Sequence, residues 1–130
     1  MSEANKTLVA RYYKEILEQG KLELIGEIFD PDFHSHLSNG TDLALESYTG
    51  FIGASFSALS DIEITIHDQI AESDKVATRW TAKGKLAKPF AGISEVGKTV
   101  EVSAIHIHGI SKGKIVDHWE AINLHAIVVK

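Results

Sequence analysis

The segment Ser103-Ala104-Ile105-His106-Ile107-His108-Gly109-Ile110, followed by Ser111-Lys112-Gly113-Lys114 and then Ile115-Val116-Asp117-His118-Trp119-Glu120, reads as a β-hairpin. Two runs of period-2 alternation flank a short turn that contains glycine. With Lys112-Gly113-Lys114 as a three-residue loop and Gly113 in the left-handed conformation, Ser111 faces Ile115 and Ile110 faces Val116. Counting outward, His108 then faces His118, and His106 faces Glu120. One face of the hairpin carries three histidines and a carboxylate on adjacent rungs, where opposed β-carbons lie about 4.5–5.5 Å apart. That spacing lets an imidazole and a carboxylate share a proton. The opposite face carries Ile105, Ile107, Ile115 and Trp119, with Asp117 among them, and resembles a core. Alternation alone leaves two assignments open: the His/Glu face is a solvated surface, or it lines a pocket.

Working outward, the second half of the chain is strand-like. Ile62, Ile64 and Ile66 alternate with Glu63, Thr65 and His67, a turn falls at Glu72-Ser73-Asp74, and Val76 to about Lys85 alternates again. A loop with Pro89 and Gly92 covers 87–97. Strands follow over 99–110 and from Ile115 to about Val128. The first half is helical. Leu8, Val9, Tyr12, Tyr13, Ile16 and Leu17 recur at helical spacing, with Gly20 as the stop. A shorter segment with Leu22, Ile25, Ile28 and Phe29 ends at Asp30-Pro31. Asp32 to Leu37 is extended or irregular, Asn39-Gly40 is a turn, and Thr41 or Asp42 caps a third helix running to about Ala58. Helices followed by hairpin-connected strands predict an α+β fold with an antiparallel sheet.

Composition narrows the function. The 130 residues suit one domain, spanning 1–130, and 44% are hydrophobic, enough for a core without staples. There is no cysteine, which excludes disulfides and thiolate chemistry. Net charge is −5, and the 13 Lys and Arg are scattered, whereas a nucleic-acid binder concentrates positive charge. Neither Gly-rich phosphate-loop pattern is present, so no nucleotide cofactor is indicated. No apolar run approaches a membrane span, and Met1 to Lys6 lacks a secretion-signal pattern. A cytoplasmic protein without nucleic-acid or membrane partners is the expectation.

For chemistry, His106 and Glu120 lead. A carboxylate in an apolar pocket has its pKa raised, a histidine titrates near neutrality, and the pair can take up and return a proton without a cofactor. His108 and His118 are placed to polarise a carbonyl or hold a substrate oxygen. A metal site built from the same His and Glu residues has the right ligand types but matches no spaced signature, and no metal is assigned. Asp117 is the rival carboxylate if the other face lines the pocket. His34-x-His36 forms a second cluster, and Arg79 beside Trp80 requires an anionic partner or solvent. His67 faces Arg79 if the turn at Asp74 is tight. Tyr12, Tyr13, Tyr48, Phe51, Phe56 and Trp80 are core candidates; tyrosine hydroxyls at the rim of an apolar cleft also suit ligand contact.

Several stretches together resemble one family: Pro31-Asp32-Phe33 with His36, Phe51-Ile52, Phe56-Ser57-Ala58, Asp74-Lys75-Val76-Ala77 running into Arg79-Trp80-Thr81, Gly97-Lys98, and Gly113 to Glu120. The chain resembles, over nearly its whole length, the SnoaL-like polyketide (ester) cyclases of the nuclear transport factor 2-like superfamily. The resemblance implies a cone-shaped barrel, with a curved antiparallel sheet wrapped around three helices and a deep apolar pocket. It implies a cofactor-independent intramolecular aldol condensation of a hydrophobic, carbonyl-rich polyketide ester. The catalytic acid falls at Glu120 and the histidine at His106. His108, His118, His36, Arg79, Tyr12, Phe51 and Trp80 are then the substrate-binding candidates. It also gives the isoleucine-rich face a use, as the interface of a homodimer. Two departures stand out: Gly84-Lys85-Leu86 replaces the family's Gly-Thr-His, and Asn123 stands where an aspartate is usual. The same fold hosts isomerases, hydrolases and non-catalytic binding modules.

Overall fold

The computed structural model describes residues 2–37, 40–89, 94–122 and 127–129; Asn39, Gly92 and Asn123 lie outside them. The fold is α+β, with three α-helices and a curved, unclosed sheet among the described residues. Helix α1 (Ser2–Arg11) runs directly into a π-helical segment, Tyr12–Glu18. The sequence predicts one α-helix here. The wider turn of the π-helix sets the adjacent pairs Tyr12/Tyr13 and Ile16/Leu17 side by side on the inner face, and all four are buried. Gly20 ends the segment with φ +73°, its N–H donating to the Ile16 carbonyl at 3.0 Å. The second helical stretch is a 3₁₀ turn at Leu22–Leu24 and a one-turn helix α2 (Ile25–Ile28).

Of the two readings of 32–37, extended or irregular, the structure has the extended one: strand β1 (Phe29–His36), which starts before Asp30-Pro31. It pairs in parallel with β6 (Lys114–Ile122) and antiparallel with the short β2 (Asp42–Ala44), so the sheet is mixed rather than wholly antiparallel. Pro31 sits within the break of the β1–β6 register between Phe29 and His34, where no ladder N–H is needed. Because residues 42–44 pair with β1, helix α3 begins at Leu45 rather than at Thr41 or Asp42, and ends at Ser57. Strands β3 (Leu59–Glu72), β4 (Lys75–Leu86) and β5 (Thr99–Ser111) follow, giving the order β2-β1-β6-β5-β4-β3. Of the expected final strand, the described parts are β6, to Ile122, and β7 (Ile127–Val129), which pairs with the start of β5.

The deciding hairpin has the predicted outer register, His108 opposite His118 and His106 opposite Glu120, reached by a different route. The loop is two residues, Lys112-Gly113, since Ser111 pairs with Lys114. Both loop residues have positive φ, 52° and 76°, as a type I′ turn requires. The odd residue is absorbed by a bulge: Ile110 pairs with Ile115 and Gly109 with Asp117, leaving Val116 between them. The bulge turns Ile115 inward, so it is fully buried in the core rather than sharing a face with Trp119. A bulge between Ile66 and Asp68 likewise puts Asp68, not His67, opposite Arg79.

Candidate functional site

The inner faces of β4, β5 and β6, together with the π-segment and α3, enclose a cavity of about 300 Å³. Strand alternation delivers Trp80 from β4, His106 from β5 and Glu120 from β6 to its wall. Tyr12, Tyr48 and Phe51 close it from the helical side, and the remaining wall is almost entirely apolar.

Within this setting the His106 Nε2 lies 3.7 Å from a Glu120 carboxylate oxygen, and both side chains are nearly enclosed, at 4% and 11% exposure. Burial raises the Glu120 pKa above the ordinary carboxylate value, because the charged form loses water without gaining a cationic partner. Burial drives the His106 pKa well below 6.5, and the neighbouring His118 and His108 push it the same way. His108 is also held well below its usual value, and His118 is pushed down to about 3, in both cases chiefly by burial. The rings are therefore neutral at ordinary pH. Tyr13 and His106 Nδ1 share a hydrogen bond of 3.0 Å, and Ser35 and His118 Nδ1 one of 2.9 Å. The hydroxyls of Tyr12 and Tyr48 are hydrogen-bonded to each other, and burial raises the pKa of both. Among the described residues, Trp80 Nε1, His106 Nε2, His118 Nε2 and both ring nitrogens of His108 are buried without a hydrogen-bond partner.

The structure brings together five of the catalytic and substrate-binding candidates: Tyr12, Phe51, Trp80, His106 and Glu120 all line the cavity, beside the core candidates Tyr48 and Phe56. His108 and His118 face the same way but lie behind the wall, fully buried. Two assignments are corrected. Arg79 is exposed on the outer face and paired with Asp68 at 2.6 Å, since it alternates out of phase with the buried Thr78 and Trp80. His36 lies at the β1 end of the sheet, bonded to Asp42 at 2.9 Å and Asp117 at 3.0 Å and stacked on Trp119. Asp117 accordingly belongs to that cluster, and the cavity carboxylate is Glu120. Tyr13 and Ser35 were not singled out for a role in the site. Both reach their histidines across more than 80 residues, and no local pattern signals such a contact.

This arrangement is an α+β fold of helices on a curved sheet, with one acid and one histidine on adjacent strands around an apolar cavity. The SnoaL-like polyketide cyclase family model matches residues 7–129, and the chain belongs to that family. IdmH from Streptomyces antibioticus, a putative polyketide cyclase, is 26% identical, with a TM-score of 0.81 over 92% of this chain and 91% of that one. A putative SnoaL-like polyketide cyclase from Jannaschia sp. CCS1 is 20% identical, with a TM-score of 0.83 over 95% and 88% of the two chains. AclR from Streptomyces galilaeus, a putative hydroxylase, is 21% identical, with a TM-score of 0.85 over 95% and 81%. No curated protein sequence matches this chain significantly.

Proposed function

We propose that the protein is a cyclase-type enzyme that removes a proton from the carbon next to a carbonyl in a hydrophobic, polyketide-like ester. Glu120 is the general base. The resulting enolate attacks a second carbonyl of the same molecule, a C–C bond forms, and the protonated Glu120 returns its proton to the new alkoxide. His106 orients Glu120 or stabilises the developing oxyanion, and the unpartnered Trp80 Nε1 is available to a substrate oxygen. The observation that carries the reading is a carboxyl group on an apolar wall, its pKa raised by burial, 3.7 Å from a neutral imidazole. A base poised in this way suits proton transfer near neutral pH.

The test is α-proton exchange of a hydrophobic β-keto ester in D₂O, followed by NMR. Wild-type protein accelerates exchange, and Glu120→Gln lowers the rate by about 10²–10⁴-fold, the usual contribution of a general base. Undiminished exchange in Glu120→Gln overturns the role. Ligand binding with no exchange at any pH favours the alternative of a non-catalytic binding domain.

We also infer that the sheet forms a cone-shaped wall around the helices and that a second copy of the chain covers its outer face. Ile105 and Ile107 are 50% and 39% exposed there, next to Trp119, and contiguous apolar surface of this kind marks association. No described helix is long and apolar enough to cross a membrane, and a cytoplasmic setting is consistent with the reading.

A further inference from the structure

At and behind the cavity wall lies a histidine cluster of which proton transfer uses only His106. His106, His108 and His118 converge from β5 and β6, with ring centroids 4.4 Å apart for His106–His118 and 4.9 Å for His108–His118. All three are buried, and four of their six ring nitrogens have no hydrogen-bond partner among the described residues. A buried polar atom left unpaired loses its bonds to water and gains nothing in return, so this cluster is costly unless something satisfies it. The two paired nitrogens are informative. His106 Nδ1 meets the Tyr13 hydroxyl and His118 Nδ1 meets Ser35 Oγ. When each Nδ1–H donates to its hydroxyl oxygen, both Nε2 atoms carry lone pairs; for His106 this is the tautomer opposite to the Nε2–H form that serves Glu120. Metal-bound histidines are held in the same manner, their second nitrogen donating to an oxygen acceptor.

We propose that His106, His108 and His118 form a three-histidine site for a borderline divalent transition metal of the zinc or cobalt type. One nitrogen from each ring lies within 4.8 Å of the other two. Tetrahedral zinc with Zn–N of about 2.0–2.1 Å needs nitrogens about 3.4 Å apart, so nitrogens up to 4.8 Å apart close by at most about 1.4 Å on binding. Neutral imidazoles suit such ions better than calcium or magnesium, which prefer oxygen. His106 on the cavity wall gives the ion its way in, and water from the cavity can fill the fourth position. The inference departs from the metal-free expectation attached to the family resemblance, and it does not depend on Glu120 acting as the base.

The probe is Co²⁺, titrated into chelator-stripped protein and followed by its visible absorption. One equivalent per chain produces the intense bands of a tetrahedral nitrogen site. His108→Gln and His118→Gln each weaken binding by at least about 100-fold, beyond the 10–100-fold typical of outer-shell changes. Ser35→Ala weakens it by about 10-fold and Ser35→Thr restores it, which keeps the test sharp if a histidine variant fails to fold. His67→Gln, remote from the cluster, leaves binding unchanged. Absence of the bands, their survival in both His108→Gln and His118→Gln, or their loss in His36→Gln overturns the proposal. Glu120→Gln separates the two readings: it retains Co²⁺ while losing α-proton exchange. Normal exchange in that variant sinks the base and leaves the metal site standing; absence of the Co²⁺ bands from wild-type protein, with exchange lost in Glu120→Gln, does the reverse.

Discussion

At the scale of single residues, the buried histidines make the metal-free protein acid-sensitive. His106 and His108 are held well below 6.5 in the fold, and His118 is at about 3, while unfolding returns each to its ordinary value. Below about pH 6.5 the unfolded chain binds more protons than the native one, so stability falls as pH falls. With all three contributing, the slope reaches about 4 kcal/mol per pH unit, at 1.36 kcal/mol for each proton. Denaturant melts of the metal-free protein across pH 7 to 4.5 check this, and His118→Gln reduces the slope by about one proton. His36 acts in the opposite sense. Its pKa is raised by hydrogen bonds to Asp117 and then Asp42, so its contribution is present at lower pH and fades as pH rises through the raised value. Glu120 follows the same direction for a different reason: its raised pKa penalises the charged form in the fold. Glu120→Gln is therefore expected to raise Tm at pH 8 and not at pH 4, while removing activity. An unchanged Tm at pH 8 counts against burial as the source of the shift.

At the scale of elements, the hairpin shows what alternation reveals and what it conceals. The pairing of His106 with Glu120 was legible because the period of a strand is two and the parity of the count was right. The location of the odd residue was not, because a three-residue loop and a two-residue loop with a bulge give the same register beyond Gly109. The difference decided Ile115, which faces the core. The turn offers a direct test. Lys112 has φ 52°, a conformation that asparagine tolerates better and that Asn-Gly favours in type I′ turns. Lys112→Asn is expected to stabilise the protein by up to about 1 kcal/mol, read as a higher denaturant midpoint with an unchanged m-value. Strand β1 was half legible: 32–37 reads as extended or irregular, but Pro31 argues against a strand that starts at Phe29 unless the pairing already contains a break, and that break is a tertiary fact. The π-segment was hidden because Tyr12, Tyr13, Ile16 and Leu17 fit helical spacing whether the turn is α or π.

At the scale of the whole molecule, the order of helices and strands and the family were legible, because the hydrophobic periods and the motifs around Arg79-Trp80-Thr81 and Gly113 to Glu120 are local. The placement of individual site residues was only partly so. Arg79 and His36 carry the right chemistry, and the sheet puts them outside the cavity. The proposed dimer belongs to this scale too. Wild-type protein is expected to run as a dimer by light scattering, and Ile105→Lys with Ile107→Lys to give a folded monomer that keeps its cavity. A monomeric wild type removes the second copy from the reading and leaves the site intact.

Tyr13 meets His106 across 93 residues and Ser35 meets His118 across 83. The two supports of the histidine cluster thus tie the early helical region and β1 to the last long hairpin. A growing chain cannot rehearse this site: until β5 and β6 have left the ribosome, Tyr13 and Ser35 have nothing to hold. Separations of this length make for slow closure. The polar interior should then be the last part of the molecule to become protected from solvent exchange during refolding, well after the β3–β4 hairpin, and fragments lacking β6 should have no site to recover.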